Sequence, residues 1–386
     1  MLSVFDAHIH IWDLEKLKLE WLNSCPSINK SYSLDELKAA YAAYQPGDKP
    51  ALNLEGVAYV EVDCTDPRAE DAFVRESREQ DPDNLIKACL YREQIAPNLR
   101  LPLDASGVRE PLHIESSPAG RCLEPSFIAG LKELIKAKKV FEACLRFEEL
   151  SDLLKLAQML PELKLVINHL GNIERKEQFT EDYKALMKSF AQLPNVYLKV
   201  SGFPLEDKDF VRELLSFIKE SFEPSRLLYA SNFPVIEVYG NLQEHLDICR
   251  EIFEDCPDFF GKNAKKLYRV NPVQIIANTI HVRPEKLAYY KELHADPFPA
   301  VNKMIRECGI TRYQIWHRDE TLFSLIEYEG DDFAFDMHKM DDDPETNRWW
   351  KETDPCQYRI KDARKDEWWA DMDMVYDLDG LEREQD

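Results

Sequence analysis

Two histidines near the start of the chain are spaced for joint chemistry. His8 and His10 stand one residue apart in the run "VFDAHIHIWD", and Asp6 continues the same alternation. Alternate side chains of a strand point to one face, so these three are predicted to share a face. A metal site needs three or four converging ligands, usually histidines and carboxylates. Two histidines alone therefore leave a hydrogen-bonded structural pair as the other interpretation.

Further polar side chains stand at the ends of later apolar runs. His169 lies in "VINHLG", Arg109 in "GVRE" and Asn232 in "YASNFP". An arginine presents paired donors that suit a carboxylate, so Arg109 is a candidate for holding a substrate acid. His169 at another strand end favours a polar site shared with the first two histidines, without proving a metal.

A second group of candidate side chains lies in the last third of the chain. Tyr290 and His294 are four residues apart, so they share one face of a predicted helix. Tyr313 lies on a predicted strand, and Trp349 and Trp350 are adjacent in "NRWWKETDPC". Flat indole rings suit the C–H faces of a sugar, and tyrosine and histidine supply donors and acceptors at its rim. The alternatives are core tryptophans and a surface helix histidine.

Strand-like and helix-like segments must position the first group. They alternate about eight times over about 270 residues, which matches a (β/α)8 barrel in length and pattern. An open doubly wound sheet is the alternative, but it often has a glycine-rich first turn, and no GxGxxG motif is present. The barrel would gather strand-end side chains at its C-terminal mouth. The predicted strands are "LSVFDAHI", "GVAYVEV", "LIKACLY", "GVREPLHI", "VFEACLRF", "LKLVINHLG", "VYLKVSG" and "RLLYASNFP".

The regular alternation of strand-like and helix-like segments ends near position 272, so two domains are predicted, residues 1–271 and 273–379. In the second, a strand "QIIANTIHV" precedes a helical stretch that Pro297 and Pro299 must break or kink and that Gly309 ends. A hairpin around "RDE", a helix from "DDFAFDMHKM" onward and a closing strand "DMDMVYDL" follow. The order β-α-β-β-α-β is the ferredoxin-like plan. The last residues, "GLEREQD", are predicted to be a frayed tail.

Composition restricts the partners and the compartment. The 386 residues carry a formal net charge of −23. An acidic surface repels phosphate backbones and anionic lipids, so nucleic acid and membrane are not expected partners. Nine scattered cysteines without a CxxC pair indicate reduced thiols in a cytoplasmic protein. Neither a signal peptide nor an apolar run of membrane-spanning length is expected.

The first domain resembles a known family. "DAHIHIWD", "GVREPLHI", "INHLG", "VYLKVSG", "YASNFPV" and "FGKNAKKLYRV" are similar, in this order, to motifs of the amidohydrolase-related lactonases. The resemblance implies a metal-optional (β/α)8 hydrolase that acts on sugar lactones and related esters. It also implies that His8, His10 and His169 are metal or substrate ligands and that Arg109 contacts the substrate.

One position departs from this family's pattern. Family members usually read Ser-Asp-Trp-Pro at the eighth strand, whereas this chain reads Ser-Asn-Phe-Pro with Asn232 at the aspartate's place. An amide can neither accept a proton from water at ordinary pH nor neutralise a cation. The barrel is therefore expected to bind a divalent metal, Zn or Mn, weakly or not at all. A barrel that has become a silent scaffold or a sugar-binding module is the rival interpretation.

The second domain resembles the L-rhamnose mutarotase family, including its members that act on L-fucose. The similar motifs are "VRPEKLAYYKELH", "GITRYQIWH", "LFSLIEYEGDDF", "MDDDPETNRWWKETDPCQ" and "EWWADMDMVYDLD". The resemblance implies a metal-free, dimeric ferredoxin-like domain, hence a homodimer formed through this part of the chain. It implies His294 as general acid/base. The implied sugar-lining residues are Tyr290, Tyr313, Trp349 and Trp350.

Together, the two resemblances imply a bifunctional protein of deoxy-sugar catabolism that handles a sugar and a sugar lactone. Mutarotation opens a hemiacetal and recloses it on the other face, so two groups must exchange protons with the sugar. The sequence leaves the second group open between Asp354 and Tyr290.

Overall fold

The chain forms two compact units, Met1–Val270 and Asn271–Asp386, in a computed structural model. The structure describes residues 1–102, 104–270, 273–330, 333–365 and 367–376. The predicted boundary at 272 and the predicted tail lie outside these ranges. Within them, no helix is both long and apolar enough to cross a membrane.

The first unit is built on eight parallel strands that follow chain order across one sheet. The sheet closes because the His10 amide donates to the Phe233 carbonyl at 2.7 Å and the Asn232 amide donates to the His8 carbonyl at 2.9 Å. The predicted (β/α)8 barrel is therefore confirmed. The strands are β1 Leu2–Ile9, β2 Leu52–Val60, β3 Ile86–Arg92, β4 Gly107–Arg109, β5 Val140–Ala143, β6 Leu165–Ile167, β7 Val196–Val200 and β8 Leu227–Tyr229.

Amphipathic helices cover the outside of the barrel. In the segment Lys208–Ser221, for example, the buried residues Phe210, Leu214 and Ile218 recur every four positions and pack inward. Each helix therefore presents an apolar stripe to the strands. The helices are α1 Leu34–Ala42, α2 Pro67–Gln80, α3 Pro125–Lys136, α4 Leu150–Met159, α5 Glu181–Ala191, α6 Lys208–Ser221, α7 Leu242–Phe253 and α8 Asn263–Tyr268.

The second unit is an antiparallel sheet with helices between its strands. The strand order is β10-β11-β9-β12, and β13 also pairs with β9, which confirms the ferredoxin-like prediction. The strands are β9 Gln274–Val282, β10 Ile310–Arg318, β11 Thr321–Tyr328, β12 Gln357–Tyr358 and β13 Ala370–Asp371. The helices are α9 Leu287–Ala295, α10 Pro299–Glu307, α11 Phe333–Asp341 and α12 Pro344–Thr353.

Two local predictions for this unit need correction. The single helix predicted from "DDFAFDMHKM" onward is two helices, because Asp343 caps a new helix and Pro344 occupies its first position. The closing strand starts earlier than predicted and, among the described residues up to 376, only Ala370 and Asp371 of this segment form ladder pairs with β9. The break at Pro297 and Pro299 is as predicted.

Candidate functional sites

The two opening histidines lie at the C-terminal end of β1 and touch each other. Their Nε2 atoms are 3.1 Å apart, and the His10 Nδ1 lies 2.8 Å from the Val60 carbonyl oxygen. Lys199 Nζ lies 3.3 Å from the His8 Nδ1. An ammonium can only donate, so His8 accepts at Nδ1 and its Nε2–H donates to His10. His10 then donates from Nδ1 to the Val60 carbonyl oxygen. The ring proton of His8 is therefore on Nε2 and that of His10 is on Nδ1.

His169 joins them from the turn after β6. Its ring centroid lies 4.6 Å from that of His8, and its Nδ1 lies 2.9 Å from the Ser201 hydroxyl oxygen. Residues 169–172 form a left-handed turn that begins with a φ of 51° at His169. Gly202 makes room for it, because a Cβ added there would lie 2.6 Å from the His169 Cβ. The structure thus brings the three predicted histidines together.

All three imidazoles are held neutral. Burial lowers the pKa of His10 to about 3. Burial, with the nearby Lys199 charge, lowers the pKa of His8 well below its usual value. The pKa of His169 is lowered in the same way by burial and by Arg109. A neutral imidazole carries one proton, so each ring has one donor and one acceptor nitrogen at pH 7.

Beneath the histidines lies a buried ion pair that the sequence analysis missed. Lys199 Nζ and a Glu142 carboxylate oxygen are 2.6 Å apart, and both side chains are fully buried. Glu142 also accepts hydrogen bonds from the Asn168 amide and the Tyr268 hydroxyl. Burial lowers the pKa of Lys199 to about 8. The signal was present, since Glu142 in "VFEACLRF" and Lys199 in "VYLKVSG" are each flanked by apolar residues.

Arg109 lies at the end of β4, where the barrel itself already binds it. Its Nε contacts the Glu61 carboxylate, and its Nη2 donates to the Glu61 carbonyl oxygen at 2.6 Å. Two of its three guanidinium nitrogens are therefore committed to Glu61. Glu61 fixes the direction of the guanidinium and balances its charge inside the barrel.

Asn232 follows β8 in the left-handed conformation, with a φ of 60°. Its Nδ2 donates to the Tyr239 hydroxyl at 2.7 Å, and its side chain is buried. Its Oδ1 has no hydrogen-bond partner within the described part of the chain. Asp6 does not take the place of the missing carboxylate, because its own carboxylate is already hydrogen-bonded. It accepts from the Ser231 amide at 2.8 Å and from the Tyr41 hydroxyl at 2.7 Å.

The side chains at this end of the barrel do not fit a zinc centre. Zinc binds imidazole nitrogens that carry no proton, whereas the His8 Nε2 carries the hydrogen that reaches His10. An ammonium stands 3.3 Å from the same ring, and the expected carboxylate is the amide of Asn232. Across the described ranges, no group of three His, Cys, Asp or Glu side chains is placed to hold a metal ion. The histidines form a hydrogen-bonded polar cluster.

The second unit contains a cavity of about 1050 Å³ whose wall includes all five predicted sugar-site residues. The ring centroids of Tyr290 and His294 are 4.1 Å apart, and those of His294 and Trp349 are 5.1 Å apart. The His294 Nδ1 lies 2.9 Å from the Tyr290 carbonyl oxygen, one helical turn earlier in α9. Tyr313 and Trp350 complete the set on the cavity wall. An aromatic, partly polar wall suits a sugar ring.

Gln357 and Trp368, which were not predicted, and Asp354, a candidate for the second proton-exchanging group, lie beside this aromatic wall. The Gln357 Nε2 donates to the Tyr290 hydroxyl at 3.2 Å, and the Trp368 Nε1 donates to the Gln357 Oε1 at 3.2 Å. Asp354 also lines the cavity, and burial raises the pKa of its carboxyl group. No spacing in the sequence points to Gln357, because the fold alone brings β12 next to α9.

Comparison with known proteins agrees with this two-part organisation. The amidohydrolase family model matches residues 5–270, and the L-rhamnose mutarotase model matches residues 275–378. A solved structure of Amidohydrolase 2 from Bifidobacterium longum subsp. infantis is 36% identical, with a TM-score of 0.61. That match covers 70% of this chain and 100% of the solved chain.

Two further relatives belong to Burkholderia species. An amidohydrolase of Burkholderia multivorans, solved with bound zinc, is 20% identical over 69% of this chain and 99% of its own, with a TM-score of 0.59, which shows the shared fold. An L-fucono-1,5-lactonase of Burkholderia ambifaria is 28% identical over 163 residues, which are 39% of this chain and 55% of that protein. The chain therefore belongs to the amidohydrolase family, and it carries an L-rhamnose mutarotase domain after its barrel in the sequence.

Proposed function

We propose that the second unit interconverts the anomers of L-rhamnose or L-fucose. The proposal rests on the tautomer of His294, which determines the ring nitrogen that can accept a proton from the sugar. Its Nδ1–H donates to the Tyr290 carbonyl, so its Nε2 is the ring's proton acceptor. In the proposed reaction, Nε2 takes the proton of the anomeric hydroxyl while the ring oxygen is protonated, and the roles reverse on ring closure. Tyr290 and Asp354 are the cavity groups proposed to exchange the second proton.

NMR saturation transfer between anomers tests this proposal on the full chain. We expect transfer for L-rhamnose or L-fucose at enzyme concentrations that leave D-glucose at its spontaneous rate. The methyl group of the deoxy sugars matches the apolar parts of the cavity wall, which D-glucose cannot exploit. Spontaneous rates for both deoxy sugars would exclude the assignment.

The pH dependence of anomer exchange follows from the burial of His294. Burial lowers the pKa of this imidazole below its ordinary value, which is about 6.5. The neutral form needed for proton abstraction therefore persists to lower pH than in a free histidine. We expect the rate to change little between pH 8 and about pH 6.5 and to fall below that. An acid limb with its midpoint above about pH 7 would contradict this assignment of the base.

We also propose that the barrel hydrolyses a sugar lactone. The proposal is supported by the polar cluster at the C-terminal strand ends, where barrels of this type carry their active sites. The relation to an L-fucono-1,5-lactonase supports the substrate class. The rival proposal is a silent scaffold, which Asn232 at the expected aspartate position favours. A pH-indicator screen of aldonolactones, with and without added Zn²⁺ or Mn²⁺, separates the two, because a scaffold opens none of them.

Asn232→Asp is expected to raise zinc affinity by at least about tenfold. The substitution places a negative charge beside imidazoles that bring none, and a carboxylate is the ligand this position lacks. Zinc content after dialysis, measured by elemental analysis, compares the variant with the original protein. Asn195→Asp, at a partly buried amide that binds the Leu163 carbonyl, is the control for an added carboxylate elsewhere in the barrel. Equal zinc contents in all three proteins would refute the expectation.

The two proposed activities belong to one metabolic route. A mutarotase supplies the anomer that a sugar dehydrogenase oxidises at C1, and the oxidation product is a lactone. A lactonase then opens that lactone to the acid. The dehydrogenase in this scheme is a separate protein.

A further inference from the structure

A cysteine lies in the mouth of the barrel, just after β5. Cys144 is two residues beyond Glu142, so its side chain faces the lumen one layer nearer the C-terminal end. Its side chain is 4% exposed. The Leu112 amide donates to the Cys144 carbonyl oxygen at 3.0 Å, which extends the pairing of β4 and β5 beyond both strands. His113, whose side chain is exposed, directly follows Leu112 and therefore lies next to this pairing.

The groups around this thiol favour its ionised form. The positive charges of His113 and Arg109 both act on the sulfur. The Asn172 Nδ2 lies 3.7 Å from the Cys144 Sγ and is fixed by the Leu145 carbonyl at 2.7 Å. These interactions outweigh burial and lower the pKa of Cys144 to about 7. The thiolate in turn raises the pKa of His113.

An unsatisfied acceptor lies after β8, at the same end of the barrel. The Oδ1 of Asn232 lacks a partner within the described residues, although the side chain is only 3% exposed. The other end of this amide donates to Tyr239, and the charge of Cys144 acts on the Tyr239 hydroxyl. Buried polar atoms are normally hydrogen-bonded, so this acceptor suits a hydroxyl-bearing ligand that donates to it.

We propose that Cys144 is the nucleophile of the barrel and that it attacks the acyl carbon of a sugar lactone, with His113 as its proton partner. This inference rests on the proposed lactonase function and supplies its mechanism. It also accounts for a barrel that lacks the aspartate expected at position 232. A thiolate attacks the carbonyl directly, so no carboxylate is needed to activate water for the first step.

The reaction balances in two steps. In the first, the sulfur–carbon bond forms, the ring carbon–oxygen bond breaks, and the released alkoxide takes a proton from the His113 imidazolium. The product is a thioester to Cys144. In the second step, neutral His113 takes a proton from water as the water oxygen attacks the thioester carbon. The carbon–sulfur bond breaks, the sugar acid leaves, and the thiolate–imidazolium pair forms again.

A second cysteine–histidine pair in the same unit provides a matched control. On α7, the Cys249 Sγ lies 3.7 Å from the His245 Nε2, and both side chains are fully buried. Burial raises the pKa of Cys249 well above its usual value. Cys249 is therefore a neutral, inaccessible thiol, whereas Cys144 is proposed to be a reactive thiolate.

The decisive experiment combines kinetics with mass spectrometry on the full chain. Cys144→Ala is expected to slow hydrolysis of the best aldonolactone by at least about 100-fold, and Cys249→Ala to leave the rate unchanged. After acid quenching in a single turnover, the peptide that contains Cys144 should carry the mass of the opened lactone. Unchanged hydrolysis in Cys144→Ala, or no adduct together with only a small loss of rate, overturns the inference.

Alkylation tests the thiol even if a variant folds poorly or no lactone is opened. In the unmodified protein at pH 7, iodoacetamide should label Cys144 at least tenfold faster than Cys249, and His113→Asn should remove that advantage. If the screen finds no lactone substrate, the proposed lactonase function fails. Fast, His113-dependent labelling then still supports the reactive pair, whereas equal labelling of the two cysteines rejects it.

Discussion

His294→Asn is expected to slow anomer exchange by about two to four orders of magnitude, the usual contribution of a general base. The asparagine amide can still donate to the Tyr290 carbonyl, which His294 reaches at 2.9 Å, but it cannot accept a proton from the sugar. The ring contact with Trp349 shrinks, but the cavity wall is otherwise kept. Saturation transfer between the anomers of L-rhamnose and L-fucose measures the loss.

His338→Asn is the matched control for this variant. His338 lies on α11 of the same unit, is exposed, and pairs with Asp341 at 3.0 Å. The control should therefore exchange anomers at the original rate. If the two variants were equally active, His294 would not be the base. If both lost activity, the loss would reflect the fold of the unit rather than the chemistry.

Glu142→Leu is expected to destabilise the barrel by about 3–5 kcal/mol, because it leaves the Lys199 ammonium buried without its counter-charge. The variant also removes the acceptor of the Asn168 and Tyr268 side chains. Urea unfolding, followed by hydrogen exchange of peptides from β5 and β7, isolates the barrel from the second unit. The midpoint for these peptides should move to clearly lower urea.

The double variant separates charge from packing. Glu142→Leu with Lys199→Met replaces the pair with apolar side chains, so we expect it to recover most of the lost stability. Glu133→Gln is the surface control, because its pair with Lys136 at 2.8 Å is exposed and should contribute less than about 1 kcal/mol. A double variant as unstable as Glu142→Leu would show that shape, not the uncompensated charge, determines the loss.

Short apolar runs predict the strands well because both faces of a barrel strand are buried. The run "LSVFDAHI" corresponds residue for residue to β1, Leu2–Ile9. The division of the later helical stretch into α11 and α12 was missed, although Asp343 and Pro344 form a recognisable cap. That signal is local and was available in the sequence. The short β13 depends on pairing with β9, which no local pattern reports.

The residues of the candidate sites also divide into those that a local sequence pattern reveals and those that only the fold brings together. His8, His10 and His169 could be predicted as site residues because the strand ends of a barrel meet at one mouth. Tyr290 and His294 could be predicted as a pair because about four residues make one helical turn. Glu142 and Lys199 come from strands two apart in the sheet and meet only across the barrel lumen. The approach of His113 to Cys144 depends on the register of β4 and β5, which no spacing in the chain encodes.

Gly202 limits how this barrel can diverge. The glycine has a φ of 66°, and the space that a Cβ would need is taken by His169, which itself lies in a left-handed turn. A library of single substitutions should therefore lose nearly every change at 202 while His169 is present. Replacing His169 with a smaller residue removes the clash but leaves the backbone preference for glycine. The histidine can thus be lost in one mutation, but the glycine cannot be replaced first, so a change at this pair of positions must begin at 169.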